Sequence, residues 1–411
     1  MKTFKKLVLV VTGVLFLLIA LGLLLNRFPL KTAPRLSEKA LVEDKLESDH
    51  LFQDLEKIAS SIQKLDKGIP KSPLAMSEND LNMHILQNGS VLASFHHLFR
   101  QKYMGNLMIE GRNSRTPRVK TYDDTLPLYS NLTALSHLLL CQAHHKLKDG
   151  FTEEGYNSLE AVSQINMAMW QNPPLIEVVV GVNMASQLNR FILESDLSFQ
   201  VEINQWIPDS SFILRGYEQA LYSEYILLEN MFDSEDLKAS LDKEFIGWGA
   251  KFFCNKEASI AYVVQDFEFM QEALNYGILN RPVSVKRFNK INPLHWFDNP
   301  IGRIILDFGI VKPLYFSFNL KVCASIWQSD ATRLVLALRN QDLQQNKENM
   351  LSVIEQFNLI NPVTKQPYHV SEDGSLVLLP TTSDIWENFH PKTLEMLKGF
   401  PVVLPVSNEK Q

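Results

Sequence analysis

Apolar residues recur three and four positions apart along most of this chain, the spacing that lets one face of a helix be buried. Leu41, Leu51, Leu55, Ile58 and Ile62 form such a stripe within residues 36–67, with charged residues on the other faces. The stretch Gly68-Ile69-Pro70-Lys71-Ser72-Pro73 breaks it, and Ser77 with Asp80 three residues on has the form of a helix start. Leu132, Leu135, Leu138, Leu139 and Leu147 predict a helix over 128–147 that stops at Asp149-Gly150. Thr152, Glu153 and Glu154 open the next, which runs through Leu159, Val162, Ile165 and Met169. Asn172-Pro173-Pro174 interrupts it, and a third helix continues to about Leu193. Two helices joined by a tight Asp-Gly turn make an αα-hairpin. No 34-residue period repeats it, so a tetratricopeptide array is not expected.

Further helical patterns cover Phe212 to Met231 and Ser234 to about Leu274. Pro282, Pro293 and Pro300 mark a long connection. Apolar residues resume at Ile301 and, with a break at Pro313, reach about Arg339. The tail changes character. Pro362 to Pro367 reads as a turn, and Tyr368-His369-Val370 and Leu376 to Leu379 flank an Asp373-Gly374 tip, which predicts a hairpin. The expected class is mainly α: an N-terminal transmembrane helix, a multi-helix body with αα-hairpins, and a small C-terminal β-hairpin. Four segments follow: an anchor over 1–31, a linker and stalk helix over 32–75, a helical body over 76–345, and a helix with hairpin over 346–411.

The anchor rests on Leu7 to Leu25, a run without a charge. At about 1.5 Å per residue it spans about 28 Å, close to the hydrocarbon thickness of a bilayer. Lys2, Lys5 and Lys6 precede it, and Arg27 and Lys31 follow. The leading lysines favour a cytoplasmic N-terminus, which places the body on the far side of a bacterial inner membrane, periplasmic or extracytoplasmic. Ala20-Leu21-Gly22 offers the alternative of a signal peptide cleaved after Gly22. The lipid bilayer is therefore the expected partner, together with a protein of the envelope.

Charge narrows the classes further. The net charge is −6, and setting aside the five basic residues of 1–31 leaves −11 on the remainder. An acidic body disfavours nucleic acid, which needs a basic footprint. Cys141, Cys254 and Cys323 lie far apart in apolar surroundings and read as buried thiols, with no zinc spacing among them.

No HExxH, GxSxG, P-loop or dinucleotide glycine pattern is present, and no cofactor is expected. The residues with chemical potential are few. His137, Cys141 and His144 share one stripe of a helix, with His145 adjacent, and a thiolate with two imidazoles suits a soft divalent metal. Arg303 and Arg333 each sit inside an apolar helical stretch and are candidates for ligand binding. Each also has a local acid, Asp307 or Asp330, that could pair with it. Arg112, Arg115, Arg118 and Lys120 form a basic loop. This balance points to a non-enzymatic binding or scaffold protein of the envelope. The alternative is an envelope hydrolase with its site in a helical cleft.

The segment DATRLVLALRNQ from Asp330, followed by a helix and INPVTKQPYHVSEDGSLVLLP, resembles the C-terminal part of uncharacterised membrane-anchored proteins found in planctomycetes and other bacteria. Their pattern is an Arg-bearing helix, then D-P-x-x-G-K-P-x-x-Y, then a strand. Here Asn361-Pro362 stands for Asp-Pro, Lys365-Gln366-Pro367 for G-K-P, and Tyr368 closes the turn. Asn299-Pro300-Ile301-Gly302-Arg303 and the segment from Leu128 to Arg190 are similar too, so the resemblance covers about half the chain. It implies the anchored helical architecture and carries no activity. A comparable turn occurs in type II secretion pseudopilins, but the Leu7–Leu25 run lacks their prepilin leader and the following Glu, and the body is several times larger.

Overall fold

Capping chemistry fixes where the helices of this chain begin and end. The computed structural model describes residues 54–63, 72–102, 126–170, 175–195, 206–233, 312–377 and 403–404, apart from Glu56 and Asp373, and scattered helical positions between 259 and 274. A single 3-10 turn, Pro73–Ala75, leads into α1 (Glu78–Gln87) and α2 (Gly89–Lys102). Then come α3 (Leu126–Lys148), α4 (Thr152–Met169), α5 (Leu175–Glu194) and α6 (Ser210–Asp233), followed by α7 (Lys312–Asn340) and α8 (Lys347–Gln356). Ser77 caps α1 by accepting the Asp80 backbone N–H at 3.2 Å, and Asn346 caps α8 in the same way through Asn349 at 2.9 Å. The break expected at Pro313 is the first turn of α7, where a missing backbone N–H costs nothing.

Three helices end in one motif. Gly150, Asp342 and Asn358 have φ of 83°, 51° and 49°. After α3, Phe151 N donates to Lys146 O at 2.8 Å and Gly150 N to Leu147 O at 3.2 Å. The same pair of bonds follows α7 (Leu343 to Leu338, Asp342 to Arg339) and α8 (Leu359 to Ile354, Asn358 to Glu355). This Schellman arrangement satisfies the last carbonyls and turns the chain back. At Asp149-Gly150 it closes α3 and α4 into the expected αα-hairpin.

Two hydrophobic cores result. One gathers Leu55 and Ala59 of the segment before the 3-10 turn with residues of α2, α3, α4 and α5. The other joins α5, α6, the helical positions Ile260 to Leu274, α7, α8 and the C-terminal turn. α5 borders both, which explains why its sequence is apolar on nearly every side. Its one fully enclosed acid, Glu177, accepts the Tyr129 hydroxyl at 3.0 Å. α6 approaches the C-terminal end of α4 so closely that a Cβ on Gly216 would stand 2.3 Å from the Trp170 carbonyl oxygen.

The C-terminal hairpin pairs β1 (His369–Val370) with β2 (Leu376–Val377), antiparallel, and Gly374 supplies the positive φ of its tip. β3 (Val403–Leu404) adds a third strand on β2, which the sequence pattern did not announce. No helix of the described residues is long and apolar enough to cross a membrane. The Leu7–Leu25 run itself lies outside the described residues.

Candidate functional site

Among the described residues, two buried clusters gather groups with chemical potential, one on α1 and α3, the other on α7 and the C-terminal turn.

α3 carries His137 and Cys141 one turn apart, facing inward, with exposures of 1% and 0%. The Cys141 Sγ lies 3.6 Å from His137 Nδ1. α1 packs against α3 and brings His84, 3% exposed, to the same place. The His84 and His137 rings are 6.1 Å apart between centroids, tilted by 55°. Ligand atoms of His84, His137 and Cys141 all lie within 4.8 Å of one another. Half-buried Met76, just before the Ser77 cap, completes the group, its Sδ 3.6 Å from the Cys141 Sγ.

Tertiary hydrogen bonds hold this assembly in place. Asn88 accepts the Gln63 backbone N–H at 2.7 Å and donates to the Gln63 carbonyl at 3.1 Å and the His84 carbonyl at 2.9 Å. Its amide nitrogen also stands 3.3 Å from His84 Nδ1. Ser72 caps the 3-10 turn and donates to Glu194 at the end of α5, 3.1 Å away. Burial lowers the pKa of His84, so the neutral imidazole is favoured. Burial pushes the Cys141 thiol up to about 12, so by itself it is a protonated thiol, unfit as a nucleophile.

His144, on the same stripe of α3 as the sequence counts it, does not join this group. It packs edge-on against Phe191 of α5, with ring centroids 6.2 Å apart. Burial, then the nearby Lys148 and His145, lower its pKa. His145 instead faces Asp149 at 3.5 Å. The sequence therefore points to His137 and Cys141 correctly as neighbours. It could not supply His84 and Met76, which lie 53 and 61 residues before His137 and share no spacing with it.

The second cluster centres on Asp330 and Arg333 of α7. Tyr368, at the end of the C-terminal turn, donates its hydroxyl to Asp330 Oδ2 at 2.8 Å. Asp330 is fully enclosed. Burial dominates and raises its pKa to about 7, against the opposing effects of the Tyr368 hydrogen bond and the Arg333 charge. Burial, and then Asp330 itself, raise the Tyr368 pKa well above the ordinary value. Arg333 lays its guanidinium over the Phe357 ring, 5.4 Å from the centroid. Asp209, before α6, belongs to the same neighbourhood. Burial disfavours its carboxylate, but hydrogen bonds from Ser211 and from the Phe212 backbone, with the charge of Arg333, bring its pKa below the ordinary value.

The turn itself is built by Asn361. Its side-chain oxygen accepts the Trp327 indole N–H at 3.2 Å and the Val363 N–H at 2.9 Å, while its carbonyl accepts from Lys365 N at 2.8 Å. Lys365 holds φ at 56°, in the left-handed region that favours glycine. Asp330, Asn361 and Tyr368 thus serve one junction. Nearby, Arg339 donates to the carbonyls of Ile192 and Leu193 at 3.0 and 3.4 Å, closing the end of α5 with a positive charge.

Cys323 is a buried free thiol raised to about 12 by burial, and Cys141 is also free. Arg303, the basic loop over 112–120 and Cys254 lie outside the described residues. No protein-family model matches this chain, and no curated protein and no solved structure is significantly similar to it.

Proposed function

We propose that this protein is a single-pass, membrane-anchored helical body that binds or organises an envelope partner without catalysing a reaction. The observation that carries the non-catalytic reading is the use made of Asp330, Asn361 and Tyr368. Their polar atoms join α7 to the C-terminal turn in an enclosed position. A reactive group must instead meet substrate. The tether rests on the Leu7–Leu25 run, and the far-side location on the lysines before it. Kinship with the uncharacterised anchored bacterial proteins belongs to the same proposal. It is supported by the turn from Asn361 to Tyr368 and by Lys365 adopting the backbone conformation that their Gly favours.

Two measurements test this. The full chain should remain in the membrane pellet after alkaline carbonate extraction, and a C-terminal reporter active only outside the cytoplasm should be active. A soluble form beginning after Gly22 would remove the tether, and a cytoplasmic reporter signal would reverse the topology. Detergent-extracted protein should co-purify with a stoichiometric envelope protein. Hydrolysis of an envelope substrate, abolished by a point substitution that leaves folding intact, would overturn the non-catalytic reading.

A further inference from the structure

We propose that Met76, His84, His137 and Cys141 form a buried site for one copper(I) ion. The donors are a thiol, a thioether and two imidazoles, the set that soft metals select. They come from the start of α1, its last turn and the inner face of α3, and converge on one point.

The distances fit coordination. With metal–sulfur and metal–nitrogen bonds of about 2.3 and 2.0 Å, trigonal or tetrahedral angles place a sulfur and a nitrogen about 3.5 to 3.7 Å apart and two sulfurs about 3.8 to 4.0 Å apart. Cys141 Sγ and His137 Nδ1 are 3.6 Å apart, inside the first range, and Cys141 Sγ and Met76 Sδ are 3.6 Å apart, about 0.2 Å short of the second. The widest separation in the trio, within 4.8 Å, closes by a side-chain adjustment of about 1 Å within a rotamer well. Cys141 carries one S–H proton between an imidazole and a thioether, and a shared cation would take its place among the three donors.

Charge selects the ion. His84, His137 and Cys141 are all enclosed, and among the described residues no carboxylate belongs to the group. A monovalent ion on one thiolate leaves the site neutral. A divalent ion would leave a net positive charge in an apolar interior, which is costly. Thioether ligation by Met76 favours copper(I) again, since zinc sites are built from thiolate, imidazole and carboxylate. On binding, the Cys141 S–H bond breaks, a Cu–S bond forms and the proton leaves to solvent. No electron is transferred. Met76, half-buried, stands on the outer side of the site. Asn88 donates to the His84 backbone carbonyl and so ties down the last turn of α1 at the level of His84.

The test uses the full chain in detergent under anaerobic, reducing conditions. Copper(I) is titrated against a chromophoric copper(I) chelator, with circular dichroism recorded for every variant. The wild type should withdraw one equivalent from the chelator. Cys141→Ser and His84→Ala should each weaken binding about 100-fold, and Met76→Leu about 10-fold, as loss of a ligand or a supporting group does. His144→Ala should bind as the wild type. X-ray absorption at the copper edge of the wild type should show both sulfur and nitrogen neighbours, a readout independent of whether the variants fold. Failure of the wild type to compete for copper(I) would overturn the proposal. So would a copper edge with oxygen and nitrogen neighbours only, or His144→Ala losing as much affinity as His84→Ala. Displacement of copper(I) by an equal concentration of zinc(II) would overturn the choice of a monovalent ion.

Discussion

Replacing Asp330 by asparagine should flatten the pH dependence of stability in this protein. The carboxyl is fully enclosed and its pKa stands at about 7, against 3.8 for an ordinary aspartate. A carboxyl with a raised folded-state pKa binds its proton more tightly in the native chain than in the unfolded one. Its contribution is therefore fully present below about pH 4 and is lost as pH rises through 7. Integrating the difference in bound protons from pH 4.5 to 7.5 gives a loss of about 3 kcal/mol from this one group. The groups that act on it are Tyr368, Arg333 and Asp209. The Asp330→Asn side chain would keep an oxygen for the Tyr368 hydroxyl while removing the titration. Urea denaturation of the detergent-solubilised chain, followed by tryptophan fluorescence at pH 4.5, 5.5, 6.5 and 7.5, measures the effect. The variant should gain stability relative to the wild type as pH rises, by about 3 kcal/mol across the range. Equal slopes for the two proteins, or a wild type that gains relative to the variant, would refute the burial argument.

Other substitutions probe the packing. Asn361→Ala removes the acceptor of the Trp327 indole and of the Val363 N–H; two enclosed donors lose a partner, and a cost of about 2 to 4 kcal/mol is expected in denaturant titration. Gly216→Ala improves helix propensity by about 1 kcal/mol. The added carbon would nonetheless meet the Trp170 carbonyl at 2.3 Å, backbone against backbone, so a net loss of about 1 to 3 kcal/mol should appear as a lower melting temperature. In metal-free protein at pH 8, Cys141 and Cys323, both enclosed and both near 12, should resist iodoacetamide until denaturant is added, as peptide mass spectrometry would report; rapid labelling of either in the folded chain would contradict their burial.

The reading of the helices from sequence succeeded where the cause is local. Ser77 and Asp149-Gly150 mark ends because a cap or a left-handed residue satisfies backbone groups within a few positions, and the structure uses both, while Thr152 opens α4 without a side-chain cap. The apolar spacing of 128–147 likewise predicts the buried face of α3, and the Asp-Gly tip predicts the hairpin. The site was legible only in part. His137 and Cys141 are one helical turn apart, so the sequence brings them together. His84 and Met76 reach them through α1 packing on α3, and His144 turns toward Phe191 instead.

What the sequence determined by itself is therefore the helical class, most of the helix ends, the C-terminal hairpin and the acidic balance of the chain. Each follows from interactions within about one turn, or from simple addition of charge. What tertiary structure decided is which polar groups are enclosed together. Asp330 acquires its raised pKa, and Tyr368 its partner, only because α7 and the C-terminal turn bury a shared surface. Such contacts join residues dozens of positions apart. They depend on how whole faces pack, a quantity no short window of sequence contains.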